Sequence, residues 1–169
     1  MTACALGTAS FRKDLLDLID ETEINSIMID VKDYSGSISF PPPEDSIWRG
    51  AWQNAKCGAH DLTEFIATLH DKGIFVIGRI TVFQDPYAAK LRPELAVKYA
   101  DGETVWRDYK GLSFIDVGAR EWWDDMVELT RLSYNLGFDE LNYDYIRYPP
   151  APNTPNLSLI HISEPTRPY

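Results

Sequence analysis

The chain has 169 residues, of which 44% are hydrophobic and 12% aromatic, enough apolar material for one globular domain with a sizeable core. Lys and Arg total 16 against 26 Asp and Glu, a net charge of −10 with the acids scattered along the chain, which argues against nucleic-acid backbone binding. The longest apolar run falls well short of the ~18 residues a membrane span needs, and the start of the chain lacks the basic-then-apolar order of a signal peptide.

Residues 2–6 form a short apolar run ahead of Gly7-Thr-Ala-Ser10, read as a first, clipped strand and a small-residue loop. Ser10 is placed to cap a helix whose apolar face is Phe11, Leu15, Leu18 and Ile19. Ser26-Ile-Met-Ile-Asp-Val31 is a near-continuous apolar run of the kind a doubly covered parallel strand shows, and Asp30, Lys32 and Asp33 stand at its end. A small excursion at 34–40 turns on Ser35-Gly36, before Pro41-Pro42-Pro43 forbids further pairing. Residues 44–59 read as an irregular loop in which Trp48 and Trp52 either pack underneath or line a cleft.

Asp61-Leu-Thr-Glu64 has the spacing of a capping box, and Leu62, Phe65, Ile66 and Leu69 make one helical face that ends at Gly73. Ile74-Phe-Val-Ile-Gly-Arg-Ile80 follows as a buried strand with Arg79 near its carboxyl end; Gly78 beside it permits close approach of backbone or ligand. The long connection 81–118 holds a helix start at Asp85-Pro86, a break at Arg92-Pro93-Glu94 and a hairpin around Asp101-Gly102. A third amphipathic helix, 119–136, with Trp123, Met126, Val127 and Thr130 inside, is stopped by Gly137. Gly137-Phe-Asp-Glu-Leu-Asn-Tyr-Asp-Tyr-Ile-Arg-Tyr-Pro149 then reads as a strand delivering Asn142, Asp144 and Arg147 at or near its carboxyl end.

The alternation of strands and helices predicts an α/β fold with a parallel sheet. A doubly wound nucleotide-binding sheet carries a Gly-rich phosphate loop, and neither GxGxxG nor GxxxxGK[ST] occurs. Charged residues at three strand ends, Asp30, Arg79 and Asp144, fit a (β/α)8 TIM barrel better. Since a full barrel takes ~250 residues, the expectation is the N-terminal half of one, truncated after the fourth strand; its open edges predict poor solubility for the chain alone.

The two cysteines, Cys4 and Cys57, lie far apart without CxxC spacing, so the sequence indicates neither a zinc site nor a disulfide framework. His60, His70 and His161 form no ligand pair of the HExxH type, and no metal or cofactor is expected. Residues 157–167, Leu157-Ser-Leu-Ile-His-Ile-Ser-Glu-Pro-Thr-Arg167, resemble the translation of a sequencing-library adapter, so the domain is read as 1–156 and 157–169 as a non-native tail.

Five blocks in order resemble a bacterial family of glycoside-hydrolase-like domains. They are Asn25-Ser-Ile-Met-Ile-Asp-Val-Lys-Asp-Tyr-Ser-Gly36, Arg79-Ile-Thr-Val-Phe-Gln-Asp-Pro86, Arg92-Pro-Glu-Leu-Ala-Val-Lys98, Trp106-Arg-Asp108 and the stretch Gly137 to Pro149. The resemblance implies a TIM barrel related to α-amylase-like glycosidases, a carbohydrate substrate, and an exported or envelope-attached parent. It also implies that Asp144, at the end of the fourth strand, is the nucleophile, with Asn142 on the same strand face.

Glycoside hydrolysis takes two carboxyl groups, a proton donor and a nucleophile or base. In related barrels the donor comes from a later strand; within this chain the candidates are Asp30 and Asp116. Asp30, Lys32, Asp33, Arg79, Asp116, Asn142 and Arg147 are assigned to substrate contact or, for Arg79 by strand adjacency, to holding Asp144 ionised; for the charged ones the alternative is a structural ion pair. Trp48 and Trp106 offer sugar-stacking faces or core packing. A parent enzyme cleaving poly- or oligosaccharide, with the isolated chain inactive, stands beside a non-catalytic carbohydrate-binding barrel and a metal-assisted hydrolase using Asp30 and Asp144. Oligomeric state is not read from the sequence.

Overall fold

The computed structural model describes residues 1–149 and the two-residue strand Leu157–Ser158. They fall into two compact units. The first comprises Met1–Asp33, Ser37–Ile80 and Val127–Asp144; the second comprises Tyr34–Gly36, Thr81–Met126 and the described residues from Tyr145 on.

The first unit is built on a three-stranded sheet, with β2 (Phe75–Thr81) between β1 (Ser26–Lys32) and β4 (Glu140–Asp144). β1 and β2 run parallel, paired from Ser26 with Phe75 to Asp30 with Arg79; the register then slips, so that Lys32 faces Ile80. Ile29, Val31, Val76 and Ile80 are buried, as the apolar runs require. Beyond β1 the excursion forms as expected: Lys32 bridges Ile38, Asp33 N–H donates to Ser37 O at 3.1 Å and Ser39 N–H to Val31 O at 2.9 Å.

β4 is registered at its start by Asp139. Its N–H donates to Val76 O at 3.0 Å, while its carboxylate accepts the Val76 N–H at 2.7 Å and meets His70 Nε2 at 2.9 Å. The Val76 N–H, with His70 adding, holds this carboxyl below its ordinary pKa.

The expected helical face at 62–69 is the observed one. Leu62, Phe65, Ile66 and Leu69 of α4 (Leu62–Asp71) are all buried, and Gly73, at φ +73°, ends the helix. The capping box is not made. Both oxygens of Asp61 instead accept from Arg12, at 2.8 and 2.9 Å, because the Arg12 guanidinium lies over the Phe65 ring and reaches the carboxylate first. Arg12 holds the Asp61 carboxyl below its ordinary pKa.

Further expectations are corrected. Residues 44–59, read as an irregular loop, contain a short helix, α3 (Arg49–Gln53), which carries Trp52. Residues 2–6 are no strand: Ala3–Leu6 form a helical turn, α1, because Thr2 Oγ1 accepts the Ala5 N–H and the short run favours a helix. Only Met1 is strand-like, donating to Met28 O and accepting from Asp30 N–H at 2.9 Å, the pattern of a parallel bridge. α2 (Ala9–Glu21) begins one residue before Ser10, with Thr8 at its N-cap. Of its expected apolar face only Ile19 is buried; Phe11 and Leu18 are about half exposed, at 48% and 47%.

α6 (Arg120–Asn135) buries Met126 as expected, but Trp122, Leu129 and Ser133 are buried beside it while the expected Trp123 and Val127 are exposed. The indole N–H groups decide the register. Trp122 Nε1 donates to Val82 O at 3.0 Å inside the second unit, whereas Trp123 Nε1 donates to Val117 O at 2.9 Å near the surface.

The second unit carries α5 (Pro86–Leu91), capped by Asp85, whose Oδ1 accepts the Ala88 N–H at 2.7 Å. A 3-10 turn at Pro93–Leu95 follows, then β3 (Lys98–Tyr99) and the expected hairpin turn at Gly102, closed by Tyr99 N–H to Thr104 O at 2.9 Å. Val97, Trp106 and Phe114 form a small buried cluster, so Trp106 is core rather than a stacking face. β3 pairs antiparallel with β5 (Leu157–Ser158); the rest of the expected tail lies outside the described residues.

Cys4 and Cys57 are joined by a disulfide, Cα to Cα 4.7 Å, where the sequence indicated none. The approach depends on two glycines. A Cβ on Gly7 would stand 2.5 Å from Gly58 O, and one on Gly58 would strike the Trp52 ring, so only bare backbones bring the segments this near. Closing a loop across a sequence separation of 53 restricts the unfolded chain strongly. Replacing both cysteines by serine is expected to lower stability by about 2–4 kcal/mol, measured by urea unfolding beside the parent with and without reductant; an unchanged midpoint would show that the bond contributes nothing.

Candidate functional site

The strand ends of the first unit gather three charged groups. Side chains alternate along a strand, so Asp30, Arg79, Asn142 and Asp144 share one face of the sheet and Val31, Gly78 and Leu141 take the other. On the second face Gly78 has no room for a side chain: a Cβ there would lie 2.7 Å from Leu141 Cδ2 and 2.9 Å from Val31 Cγ2. The glycine thus serves packing across the three strands, which draws their ends together.

On the first face Arg79 Nε lies 2.8 Å from Asp30 Oδ1, with its N–H turned off the line of a hydrogen bond, and Arg79 Nη1 lies 3.8 Å from Asp144 Oδ2. One guanidinium therefore serves two carboxylates. Their settings differ: Asp30 is 7% exposed, whereas the Asp144 side chain is 40% exposed and accessible to a ligand. Burial pushes the Asp30 carboxyl above its ordinary pKa, against the pull of Arg79 and of the Met1 ammonium. Asp144 is followed at once by Tyr145 at φ +55°, the one non-glycine residue at positive φ among those described. An aromatic residue there stores strain directly behind a candidate reactive carboxylate.

Asn142 is exposed two residues before Asp144. Lys32 is fully buried past the slip in β1, and Asp33 is half-buried in the excursion. Trp48 is buried at 4%. Asp116 and Arg147 belong to the second unit. There Asp116 is fully buried, its Oδ1 accepting the Gly118 N–H at 2.9 Å ahead of α6, while Arg147 is exposed with its guanidinium 5.1 Å above the Tyr145 ring. The strain at Tyr145 escaped sequence reasoning, since no pattern marks a tyrosine for positive φ.

The family model described as "Putative glycosyl hydrolase domain" matches residues 1–166. The chain belongs to this glycosyl hydrolase domain family. Among solved structures, the domain is similar to a hypothetical protein from Ruminiclostridium thermocellum, at 30% identity and TM-score 0.77, covering 94% of this chain and 79% of that one. It also resembles an α-galactosidase from Thermus thermophilus in complex with p-nitrophenyl α-D-galactopyranoside (15% identity, TM-score 0.53), covering 77% of this chain and 26% of that one. A noncanonic maltogenic α-amylase from Thermotoga neapolitana is a further likeness (14% identity, TM-score 0.58), covering 89% of this chain and 39% of that one. The domain thus spans well under half the length of either enzyme. These likenesses show the fold: an α/β domain with a parallel sheet, similar to glycoside hydrolase TIM-barrel structures. A comparison with curated proteins returns no match. No helix among the described residues is long and apolar enough to cross a membrane.

Arg79 partly offsets the burial of Asp30, so its loss has a signed pH dependence. The Asp30 carboxyl is already raised, so its ionisation opposes folding, and this cost appears as pH rises through the folded-state value. In Arg79→Gln the value moves higher still and the cost grows. The variant is expected to be destabilised by about 1–3 kcal/mol at neutral pH and by less in acid, measured as unfolding midpoints across pH. A deficit constant with pH would contradict the pairing.

Proposed function

We propose that the domain is the nucleophile-bearing part of a glycoside hydrolase that acts on poly- or oligosaccharide, with Asp144 as the nucleophile. The observation that carries this reading is the placing of Asp144: a solvent-accessible carboxylate at the carboxyl end of β4, its Oδ2 3.8 Å from Arg79 Nη1, on a strained turn. Membership of a glycosyl hydrolase family and a fold similar to an α-galactosidase and an α-amylase support it. In barrels, functional groups sit at the carboxyl ends of strands.

In this mechanism the Asp144 carboxylate attacks the anomeric carbon while a second carboxyl group protonates the departing oxygen; water then releases the glycosyl ester with retention of configuration. Arg79 orients Asp144, and Asp30 in turn anchors Arg79. Asp30 has the raised pKa of an acid catalyst, yet its burial and its contact with Arg79 suit it to positioning; Asp116, fully buried, is no better placed. We therefore assign the proton donor to neither and place it, with the remaining strands of a complete barrel, in the full-length parent. An organic cation already bridges Asp30 and Asp144, which favours this reading over a metal held between them. Asn142, on the face of Asp144, is assigned to substrate hydroxyls. The Cys4–Cys57 bond favours an oxidising, extracytoplasmic setting.

Asp144→Asn in the complete protein is expected to cut kcat by roughly 10³-fold or more with an unchanged circular dichroism spectrum, assayed on soluble starch, galactomannan and aryl α-glycosides. Undiminished hydrolysis by the variant would remove Asp144 from the chemistry.

A further inference from the structure

α1 and the segment that runs from β1 to α4 are clamped together by the Cys4–Cys57 bond, and a cavity of about 400 Å³ opens beside it. Cavities of this size hold small molecules or one or two rings of a larger ligand. It is lined by Thr8, Trp52, Lys56 and His60 together with the disulfide and the bare backbones of Gly7 and Gly58. Trp52 lies over the Gly58 backbone, where a Cβ would come within 2.3 Å of its ring, and His60 meets it edge-on at 5.0 Å between ring centroids. The indole is thus fixed before any ligand arrives.

Two features distinguish Trp52 from an ordinary packing residue. Trp122 and Trp123 spend their indole N–H groups on backbone carbonyls, whereas Trp52 Nε1 has no hydrogen-bond partner among the described residues and is not sealed from solvent. Lys56 and His60 beside it are exposed and reach water, whereas the Thr8 hydroxyl is spent on Cys4 O at 2.7 Å. A rigid aromatic face ringed by outward donors is the chemistry that recognises a pyranose, whose C–H face stacks on the ring while its hydroxyls take the donors.

We infer that the Trp52 cavity is a saccharide subsite, separate from the strand-end carboxylates, that holds one part of a glycan chain; the inference rests on the glycosidase reading for its ligand class. Met1 pairs alongside Met28 and Asp30 within β1 in the parallel sense, so α1 after it and the segment after β1 both leave the sheet toward its carboxyl end, the side on which Asp144 stands. A chain long enough to span the two is gripped at Trp52 and presented to Asp144, so the subsite contributes affinity for polymers and little for a single sugar.

The test is affinity gel electrophoresis of the full chain through soluble starch and through galactomannan, comparing the parent with Asp144→Asn, Trp52→Ala, Trp52→Tyr and His60→Ala, each checked for fold by circular dichroism. Trp52→Ala is expected to lose about tenfold in affinity while Trp52→Tyr, which keeps a stacking ring, is retarded like the parent; Asp144→Asn serves only to block turnover during the run. If Trp52→Ala does not fold, His60→Ala decides by the same criterion of weakened retardation. Retardation of the deciding variant equal to the parent's, or no retardation of the parent by either polymer, overturns the subsite. Hydrolysis without retardation sinks the subsite and leaves Asp144 standing; retardation without hydrolysis by the complete protein sinks the nucleophile and leaves the subsite.

Discussion

Two neighbouring residues of β2 set the geometry on which the rest of the site depends. Gly78 presents nothing to one face of the sheet, so Leu141 and Val31 close over it, and Arg79 presents a guanidinium to the other, where Asp30 and Asp144 flank it. The first lets the strands pack closely; the second makes their charged ends tolerable. A carboxylate as buried as Asp30 would be costly without a cation, and even with one its pKa stays raised. Close packing and charge pairing are therefore one constraint seen from two sides of the strand.

The same pair of residues explains how much was legible in advance. Apolar runs fixed β1 and β2, and Asp30, Arg79 and Asp144 were picked out because charged residues ending such runs need partners. The helical face of α4 was equally plain, its spacing repeating without ambiguity. What failed did so for want of tertiary information. Asp61 had the spacing of a cap, but Arg12, distant in sequence, took its carboxylate. The stripe of α6 was right at Met126 but wrong at its start, because adjacent tryptophans, Trp122 and Trp123, look alike until their indole N–H groups find different carbonyls. The pairing of Cys4 with Cys57 depends on Gly7 and Gly58 lying back to back, which no local pattern announces.

The groups to which we assign function stand where regular structure gives way. β4 ends on Asp144, and the next residue departs at once into left-handed backbone, so the carboxylate is carried by the last residue of the strand and paired with a cation on the neighbouring strand. The segment after β1 is fixed by backbone hydrogen bonds near its start and by the Cys4–Cys57 bond near its far end, with Trp52 held against His60 and Gly58. Anchoring loops on a packed sheet is the general route by which a barrel varies its chemistry without altering its core.

The central claim, that Asp144 becomes covalently bonded to the sugar, is tested most directly by trapping the intermediate. The complete protein is incubated with a 2-deoxy-2-fluoro glycosyl fluoride, whose fluorine slows release of the glycosyl ester, and peptides are mapped by mass spectrometry. The account predicts one added sugar on the peptide that carries Asp144; a label on a different carboxylate, or hydrolysis with inverted configuration and no label, would contradict it.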